Sequence, residues 1–369
     1  MAKSNIEGLR TSFTREEYTS PEVFTKEMSD IYEQRWCYVG RADQLGHIGD
    51  RLVANVGTES IIAVRNRDGE LRAYFNVCQH RGSQLCDSSG SGHGAAITCP
   101  YHSWSYSLDG KLVGAIHHDK ESFDRDGISL SPVKIDEWQG LLFVNLDSNA
   151  EPLINWFENL YSKPRDLEQF KMGTLKSVFT STDEVQANWK VLVENYSECL
   201  HCSVVHPELC ETVPVYKTGK TTQDERADWG ASLADGKTAI SFAQDEDLPL
   251  IPSMEEMDDY SVFGSFVYPN MLIDVMPTCV AVSTYIPRSA THTTVVTDYL
   301  FPAEVAANPP VSLKPTLDFN EMVNAQDFAV SERVQRGVAS KAFSQAYHTE
   351  MEKYAQRFVK LYRQDTETN

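Results

Sequence analysis

Two short Cys/His pairs constrain this chain more than any other feature of its sequence. Cys78-x-His80 and Cys99-x-x-His102 each offer one thiolate and one imidazole from a tight turn, and residues 81–98 separate them. Together the two loops present two sulfur and two nitrogen donors. A fold that carries both pairs is expected to bring the loops to one point, where four side chains can bind metal.

This donor set is the one that a Rieske [2Fe–2S] centre requires, with two Cys on one iron and two His on the other. Neutral imidazoles in place of two thiolates raise the reduction potential of such a cluster to roughly −150 to +300 mV. A structural Cys2His2 zinc site is the main alternative, because zinc also takes sulfur and nitrogen ligands. Zinc modules usually keep the two Cys together and the two His together, whereas each pair here is mixed.

The charge of the chain excludes some classes of partner. At 369 residues the chain is long enough for two domains and a large core, and its net charge is −20. Nucleic acids and anionic membranes attract Lys and Arg, so neither is an expected partner. The acidic surface is either simply solvated or a docking face for a basic redox protein, and charge alone does not choose between them.

The chain start and the cysteines predict a cytoplasmic protein. The start, MAKSNIEGLRTSF, is polar, and no apolar run approaches the roughly 18 residues of a membrane span. In the cytoplasm the eight cysteines are expected to be reduced thiols or metal ligands rather than disulfides. Cys199-x-x-Cys202, which brackets His201, is expected either to be structural or to support metal ligands from outside.

The pattern along the chain predicts an α+β protein with a small antiparallel β domain. Residues 1–36 predict a helical lead-in. Residues 37–150 hold short apolar or alternating runs between Gly- and Asp-rich turns, with both Cys/His pairs at strand ends. Residues 151–369 are mixed: helices are predicted at 151–170, 187–209 and 316–363, strands at 174–186, 262–268, 271–276, 279–286 and 293–301, and long acidic loops at 217–260.

A second candidate metal site lies in the predicted helix, where His201 and His206 are spaced H-x4-H. Two His and one carboxylate on one face of Fe(II) leave positions open for O2 and substrate. On an ideal helix i and i+5 are about 140° apart, so a shared metal requires local unwinding, which Pro207 favours. Helical phasing does not single out the third ligand among the late acids Asp318, Glu321, Asp327 and Glu332.

With these residues in view, the chain resembles, along nearly its whole length, the large (α) subunits of Rieske-type non-haem iron oxygenases. Its Rieske signature is Cys78-Gln79-His80-Arg81-Gly82 with Cys99-Pro100-Tyr101-His102-Ser103-Trp104. Its mononuclear-iron signature is Asn188-Trp189-Lys190, Glu194-Asn195-Tyr196 and Glu198-x-x-His201-x4-His206-Pro207. Asp327, in QDFAVSERVQRG, aligns with the family's carboxylate ligand.

The resemblance implies two metal centres and an assembly. Cys78, His80, Cys99 and His102 would hold the [2Fe–2S] cluster. His201, His206 and Asp327 would hold Fe(II) in a C-terminal helix-grip domain of antiparallel sheet. In a homotrimer the cluster of one subunit would face the mononuclear iron of the next, with Glu198 as the catalytic residue that bridges His102 and His201.

The resemblance also implies a terminal oxygenase that uses O2 and receives electrons from NAD(P)H through a separate reductase, with or without a ferredoxin. Many ring-dihydroxylating members carry Asp at position 198, and Glu there is similar to the branch that oxidises N-alkyl compounds such as carnitine and betaines. Oxidative N-dealkylation, such as N-demethylation, of a small substrate is therefore the expected reaction. Hydroxylation or dihydroxylation of an aromatic ring is the alternative, and a Rieske electron-transfer protein is the alternative from another class.

The substrate pocket is less defined in the sequence. A quaternary ammonium requires an aromatic cage, and an arene requires an apolar pocket. The late strands supply candidates for either, although alternating aromatic residues usually face the core. These candidates are Phe263, Phe266, Tyr268, Met271, Met276 and Tyr285.

Overall fold

The computed structural model describes residues 8–91, 94–116, 123–160, 164–221, 227–243, 247–255 and 260–367. Residues 1–7 of the predicted lead-in and parts of the predicted loops at 217–260 lie outside the described residues. Antiparallel sheets occur together with helices, which confirms the predicted α+β class. No described helix is both long and apolar enough to cross a bilayer.

The strands are β1 Arg10–Thr14, β2 Cys37–Arg41, β3 Arg51–Val56, β4 Glu59–Arg65, β5 Leu71–Phe75, β6 Ala96–Thr98, β7 Ser105–Ser107, β8 Leu112–Gly114, β9 Pro132–Trp138, β10 Leu141–Asn145, β11 Lys176–Val185, β12 Trp229–Ser232, β13 Ser261–Val267, β14 Met271–Val275, β15 Val280–Ser289, β16 His292–Phe301 and β17 Gln345–His348. The α-helices are α1 Arg15–Thr19, α2 Pro21–Glu27, α3 Leu153–Asn159, α4 Trp189–Tyr196, α5 Cys202–Val205, α6 Pro207–Thr212, α7 Ala303–Ala307, α8 Leu313–Val338 and α9 Lys353–Glu367. Shorter turns are π-helical at Met28–Tyr32 and 3₁₀-helical at Ala42–Leu45, Pro164–Phe170, Met172–Thr174 and Pro214–Thr218.

The chain divides into two compact units, Met28–Trp156 and Met1–Glu27 with Phe157–Asn369. These bounds differ from the predicted segments 1–36, 37–150 and 151–369, because the N-terminal residues join the C-terminal unit. There β1 pairs antiparallel with β17, more than 300 positions later in the chain. Such long-range pairing has no local signature in the sequence.

The Met28–Trp156 unit is built from antiparallel strands. Six form a sheet in the order β2-β10-β9-β5-β4-β3, and three short ones form a second sheet in the order β6-β7-β8. The first Cys/His loop lies between β5 and β6, and the second lies between β6 and β7. Buried side chains around these strands, among them Ile62, Ile97 and Tyr106, form the core beneath both loops.

The other unit is a six-stranded antiparallel sheet with helices against it. Its strand order is β11-β16-β15-β14-β13-β12. Helix α4 packs on α8 and α9 and also contacts β15. The predicted single helix at 316–363 is in fact α8, the strand β17 and α9, and β12 was not predicted because it lies within the region expected to be loops.

The Asn188-Trp189-Lys190 motif holds this unit together. The Asn188 side chain caps α4 by accepting the Lys190 backbone N–H at 2.9 Å. The Trp189 indole N–H donates to Glu27 at 3.0 Å, and the fully buried Lys190 ammonium lies 2.5 Å from the same carboxylate. Tyr362 on α9 donates to Glu27 as well, at 2.8 Å. The motif therefore anchors α2 and α9 to α4.

Removing the charge of Glu27 is expected to destabilise the protein strongly. Glu27→Gln removes the one carboxylate that forms a described ion pair with the buried Lys190 ammonium, and such a loss typically costs about 3–5 kcal/mol. Urea unfolding followed by circular dichroism measures this loss. Glu22→Gln, on the exposed face of the same helix, should leave the unfolding curve unchanged. A Glu27→Gln protein as stable as its parent would show that the ion pair does not have this role.

Candidate functional site

Both Cys/His loops close as tight turns. In the first, the Gly82 N–H donates to the Cys78 carbonyl at 2.9 Å, and in the second the Ser103 N–H donates to the Cys99 carbonyl at 3.1 Å. Gly82 and Ser103 both take the left-handed conformation, with φ of 70° and 57°. The two loops therefore form the same kind of turn with one left-handed residue. Only the first loop has glycine at that position.

The two turns bring the four predicted cluster ligands together. The rings of His80 and His102 have centroids 4.7 Å apart, and Cys78 lies close enough to Cys99 to lower the pKa of the Cys99 thiol. Both thiols are buried. The His80 Nδ1 is buried and has no hydrogen-bond partner among the described residues. A buried nitrogen without a partner beside two buried thiols fits a metal cluster, because buried polar atoms otherwise find hydrogen bonds.

The surroundings of Cys99 favour a thiolate. Burial alone would raise the pKa of this thiol, but hydrogen bonds from the backbone N–H groups of Tyr101 and His102, together with the Cys78 and Ser83 side chains, lower the pKa below its ordinary value. The thiolate is the form that binds metal. The indole of Trp104 stacks on the His80 ring at 4.5 Å, which fixes the plane of that imidazole.

The second predicted site also assembles. His201, His206 and Asp327 each offer one ligand atom, and these atoms all lie within 4.8 Å of one another. Asp327 Oδ1 is 3.2 Å from His201 Nε2 and 2.9 Å from His206 Nε2. Two imidazoles and one carboxylate converging in this way fit a facial triad for iron.

The other acids of α8 point to other partners. Asp318 pairs with Lys314 at 2.6 Å on the exposed side of the helix, and Glu332 accepts the Gln186 backbone N–H at 3.0 Å. Asp327 is the one of the four candidate acids that meets both histidines. The structure thus separates candidates that helical phasing left equivalent.

A break in the helix brings the two histidines together. The predicted helix at 187–209 is three short helices, α4, α5 and α6. His206 lies between α5 and α6 with φ −123° and ψ 62°, outside the helical region, and Pro207 begins α6. The helix is therefore broken immediately before Pro207, where the H-x4-H spacing predicted local unwinding.

The nitrogen of each imidazole that faces away from Asp327 has a fixed acceptor. His201 Nδ1 lies 2.6 Å from Glu198 Oε1, and His206 Nδ1 lies 2.7 Å from the side-chain carbonyl of Gln326. These oxygens accept, so each Nδ1 carries its proton and each Nε2 is available as a ligand. Burial would lower the pKa of His201, but its hydrogen bonds to Asp327 and Glu198 raise the pKa to about 10. Without a metal these carboxylates therefore favour a proton on Nε2, and a metal cation would have to replace that proton.

The expectation that the cysteines are reduced thiols or metal ligands is wrong for one pair. Cys199 and Cys202 form a disulfide, whereas the other six cysteines are free and buried. The turn between α4 and α5 places the two Cα atoms 5.0 Å apart, within the range that a disulfide spans. The disulfide brackets His201 and lines the cavity beside it.

A cavity of about 160 Å³ opens beside the triad. Three carboxylates line it, those of Glu198, Asp274 and Asp327, and among its described lining residues there is no Lys or Arg. The Tyr196 hydroxyl donates to Asp274 Oδ1 at 2.9 Å. Burial raises the pKa of Asp274 to about 7, against the effect of the Tyr196 hydrogen bond and with a further rise from the charge of Asp327. The cavity is thus acidic.

Comparison with known proteins decides the family. Residues 167–367 match the catalytic domain of the ring-hydroxylating alpha subunit, and residues 35–128 match the Rieske [2Fe–2S] domain. The carnitine monooxygenase oxygenase subunit of Acinetobacter baumannii is 31% identical over 339 residues, which cover 90% of this chain and 86% of that protein. The chain belongs to the α subunits of the Rieske-type non-haem iron oxygenases.

Two further relatives place the oxygenase within this family. The glycine betaine monooxygenase oxygenase subunit of Chromohalobacter salexigens is 39% identical over 210 residues, 57% of this chain and 46% of that protein. A solved structure of a quaternary ammonium Rieske monooxygenase matches with a TM-score of 0.80 at 27% identity, covering 98% of this chain and 96% of that chain.

The family fixes the cofactors and the class of reaction. The oxygenase is an oxidoreductase with a Rieske [2Fe–2S] cluster and a mononuclear iron, and it acts as a terminal oxygenase on a small molecule. The zinc alternative and the free-standing electron carrier are therefore excluded, the first by the Rieske match and the second by the catalytic domain.

The cavity wall of the oxygenase overlaps only in part with the predicted candidates. Phe263 and Met276 line the cavity, and Tyr285 lines a smaller one that shares Asp274 and Asp327. The other three candidates, Phe266, Tyr268 and Met271, line neither. The aromatic wall residues that were not predicted are Tyr196, Tyr216, Trp229 and Tyr299. Tyr196 belongs to a family motif, whereas Trp229 lies in the predicted loops at 217–260 and Tyr216 lies between two predicted segments.

Gly264 is expected to be required for the position of Trp229. A Cβ at this glycine would overlap the indole ring, coming within 2.6 Å of its Nε1. Gly264→Ala should therefore displace Trp229 and raise the KM for substrate by about tenfold, a cost of about 1.4 kcal/mol typical of overpacking. Gly337→Ala serves as a control outside the cavity, since nothing lies within 4 Å of its Cβ position and its backbone is not in the left-handed region. An unchanged KM with altered stability would show that Trp229 does not contact substrate.

Proposed function

We propose that this oxygenase is the terminal component of a system that oxidatively removes an N-alkyl group from a small quaternary or tertiary ammonium compound. The observation that carries the proposal is the cavity itself. It lies directly on the His201, His206 and Asp327 triad, and its wall combines aromatic rings with the Asp274 carboxylate. Aromatic faces and a carboxylate attract an organic cation.

In this proposal Cys78, His80, Cys99 and His102 hold the cluster, and the triad holds the mononuclear iron. Glu198 and Gln326 keep both triad imidazoles in the tautomer that offers Nε2. The metal centres supply the activation of O2 with two electrons. The disulfide, the aromatic rings and Asp274 shape the space in which the substrate lies.

For an N-methyl group, the overall reaction consumes one O2, two electrons and two protons and releases formaldehyde and water. One oxygen atom of O2 enters a C–H bond next to nitrogen, and the other leaves as water with two electrons and two protons. The resulting N–CH2–OH group loses its hydroxyl proton as the C–N bond breaks, giving formaldehyde and the dealkylated amine. The nitrogen keeps the electron pair of the broken bond.

Relatives of the oxygenase support this choice of substrate. Those with 26–39% identity include oxygenase subunits of carnitine monooxygenase and glycine betaine monooxygenase. Both names denote trimethylammonium compounds. Glu at position 198 accords with this branch.

The proposal includes partners. A separate reductase would deliver electrons from NAD(P)H to the cluster, and the strongly acidic chain is suited to a basic docking face on that partner. A homotrimer would let the cluster of one subunit serve the iron of the next through Glu198. The Glu198 carboxylate has accepting capacity for a further N–H beside its bond to His201.

A product assay tests the function. The reconstituted protein, a surrogate reductase, NADH and O2 are incubated with N-methyl ammonium compounds or with simple arenes, and products are identified by mass spectrometry. Formaldehyde and the dealkylated amine, in equal amounts, are expected. Hydroxylated arene without dealkylation would replace the proposal with ring hydroxylation.

A further inference from the structure

The charge of the cavity wall carries an inference about the substrate that rests on the proposed function and narrows it. Glu198, Asp274 and Asp327 are the charged side chains of the described wall apart from the two triad histidines. Bound iron(II) would bring two positive charges, which Asp327 and Glu198 would offset. Asp274 is then the remaining acid of the wall, and no described Lys or Arg lies along the wall beside it. An organic cation bound against Asp274 would favour the ionised form of this carboxyl group.

The position of Asp274 is fixed by its strand and by a hydrogen bond. It lies on β14, where its neighbours pair with β13 and β15, and Tyr196 on α4 donates to its Oδ1. The ring of Tyr196 lies 4.9 Å from that of Trp229, at an interplanar angle of 59°. Both rings line the cavity with Asp274, so a carboxylate and two aromatic rings share one wall.

A substrate that carried its own carboxylate would bind unfavourably against this wall. Its anion would be buried beside Asp274 with no described cationic side chain to accept it, and a buried unpaired charge is costly. The polar groups that the wall does offer are neutral: they are the side chains of Asn195, Thr221, Ser283, Thr297, Asn320 and Asn324. Such groups suit a hydroxyl or an amide.

We infer that the substrate of this oxygenase is a small methylammonium cation that carries no carboxylate, with Asp274 as its counter-charge and a neutral polar group as its tail. A cavity of about 160 Å³ is smaller than the roughly 300–1,000 Å³ of sites for drug-sized ligands, and it suits a molecule of few heavy atoms. By this inference the substrate differs from carnitine and glycine betaine, the carboxylate-bearing compounds after which several relatives are named.

Matched ligands test the inference. Choline and glycine betaine share a trimethylammonium group and differ at the other end, where one carries a hydroxyl and the other a carboxylate. A third ligand, the carbon isostere of choline with a tert-butyl group, removes the positive charge alone. Anaerobic calorimetric titration of the fully metallated protein gives the Kd for each, and formaldehyde release gives turnover for the two ammonium compounds.

Choline is expected to bind about 30-fold more tightly than either glycine betaine or the neutral isostere. Asp274→Asn should reduce the preference for choline over its isostere to about threefold or less, because the isosteric amide keeps the shape and loses the charge. Asp228→Asn is the matched control. Asp228, the residue before β12, is also a buried acid whose pKa burial raises to about 7, but it accepts the Phe266 N–H at 3.0 Å and does not line the cavity.

The outcomes separate this inference from the proposed function. Tighter binding and faster demethylation of glycine betaine than of choline would overturn the inference and leave N-dealkylation intact. Equal binding of choline and its neutral isostere by the unmodified protein would also overturn it, whether or not Asp274→Asn folds. Absence of formaldehyde from every ammonium compound, together with hydroxylation of arenes, would overturn the proposed function as well.

Discussion

Replacing Asp327 with alanine is expected to remove the mononuclear iron and abolish turnover while leaving the Rieske cluster in place. Asp327 Oδ1 lies within 3.2 Å of the ligand nitrogens of both His201 and His206, so its loss leaves two imidazoles for one ion. Mutation of a residue that only supports a metal ligand typically weakens metal binding by about 10- to 100-fold. Loss of one of the three ligands themselves should weaken iron binding by at least that much. Iron analysis should fall from three irons per chain to two, with an unchanged Rieske EPR signal.

The same helix supplies the control. Asp318→Ala removes an exposed carboxylate whose partner is Lys314, and surface pairs of this kind contribute little to stability. This variant should keep three irons and full turnover. An Asp327→Ala protein that retains three irons would assign the carboxylate ligand elsewhere, with Glu321 and Glu332 as the next variants.

Changing Glu198 to glutamine is expected to slow turnover by about 10- to 100-fold with both metal centres intact. The carboxylate accepts the His201 Nδ1–H with Oε1, while Oε2 accepts backbone N–H groups of Leu200 and His201. The amide of Gln has only one accepting oxygen, so it can keep one of these two sets of hydrogen bonds and not both. Metal content and the EPR signal of the reduced cluster should remain unchanged, so the loss would appear in electron transfer to the mononuclear iron.

Rapid mixing distinguishes this positioning effect from a structural one. The reduced protein is mixed with O2 and substrate, and reoxidation of the cluster is followed by its visible absorbance. Glu198→Gln should slow reoxidation in parallel with turnover, whereas Glu211→Gln, an exposed acid on α6, should match the parent. Full turnover in Glu198→Gln would refute the bridge, and loss of iron from His201 would show that Glu198 serves only to hold that ligand.

Features carried by local spacing were predictable from the sequence. The two Cys/His loops, the β character around them and the helix break at Pro207 each depend on residues within a few positions of one another. The ligand role of Asp327 came from family resemblance, because only the fold shows that α8 turns this acid, and not Asp318 or Glu332, toward the histidines.

Features built from distant segments were not predictable. The cavity wall combines α4, the segment near Tyr216, strands β12 to β16 and α8, so neither Trp229 nor Asp274 has a neighbour in sequence that reveals its role. The Cys199–Cys202 disulfide was missed because cytoplasmic cysteines are usually reduced, a rule about compartments that takes no account of a 5.0 Å Cα separation.

A single-turnover experiment tests the central claim most directly. The purified oxygenase is reduced chemically, freed of reductant and mixed with O2 and choline, with no reductase present. The account predicts that cluster reoxidation is coupled to release of formaldehyde and of the dealkylated amine in equal amounts. Reoxidation of the cluster without any formaldehyde from choline or from other N-methyl ammonium compounds, with arenes hydroxylated instead, would contradict it.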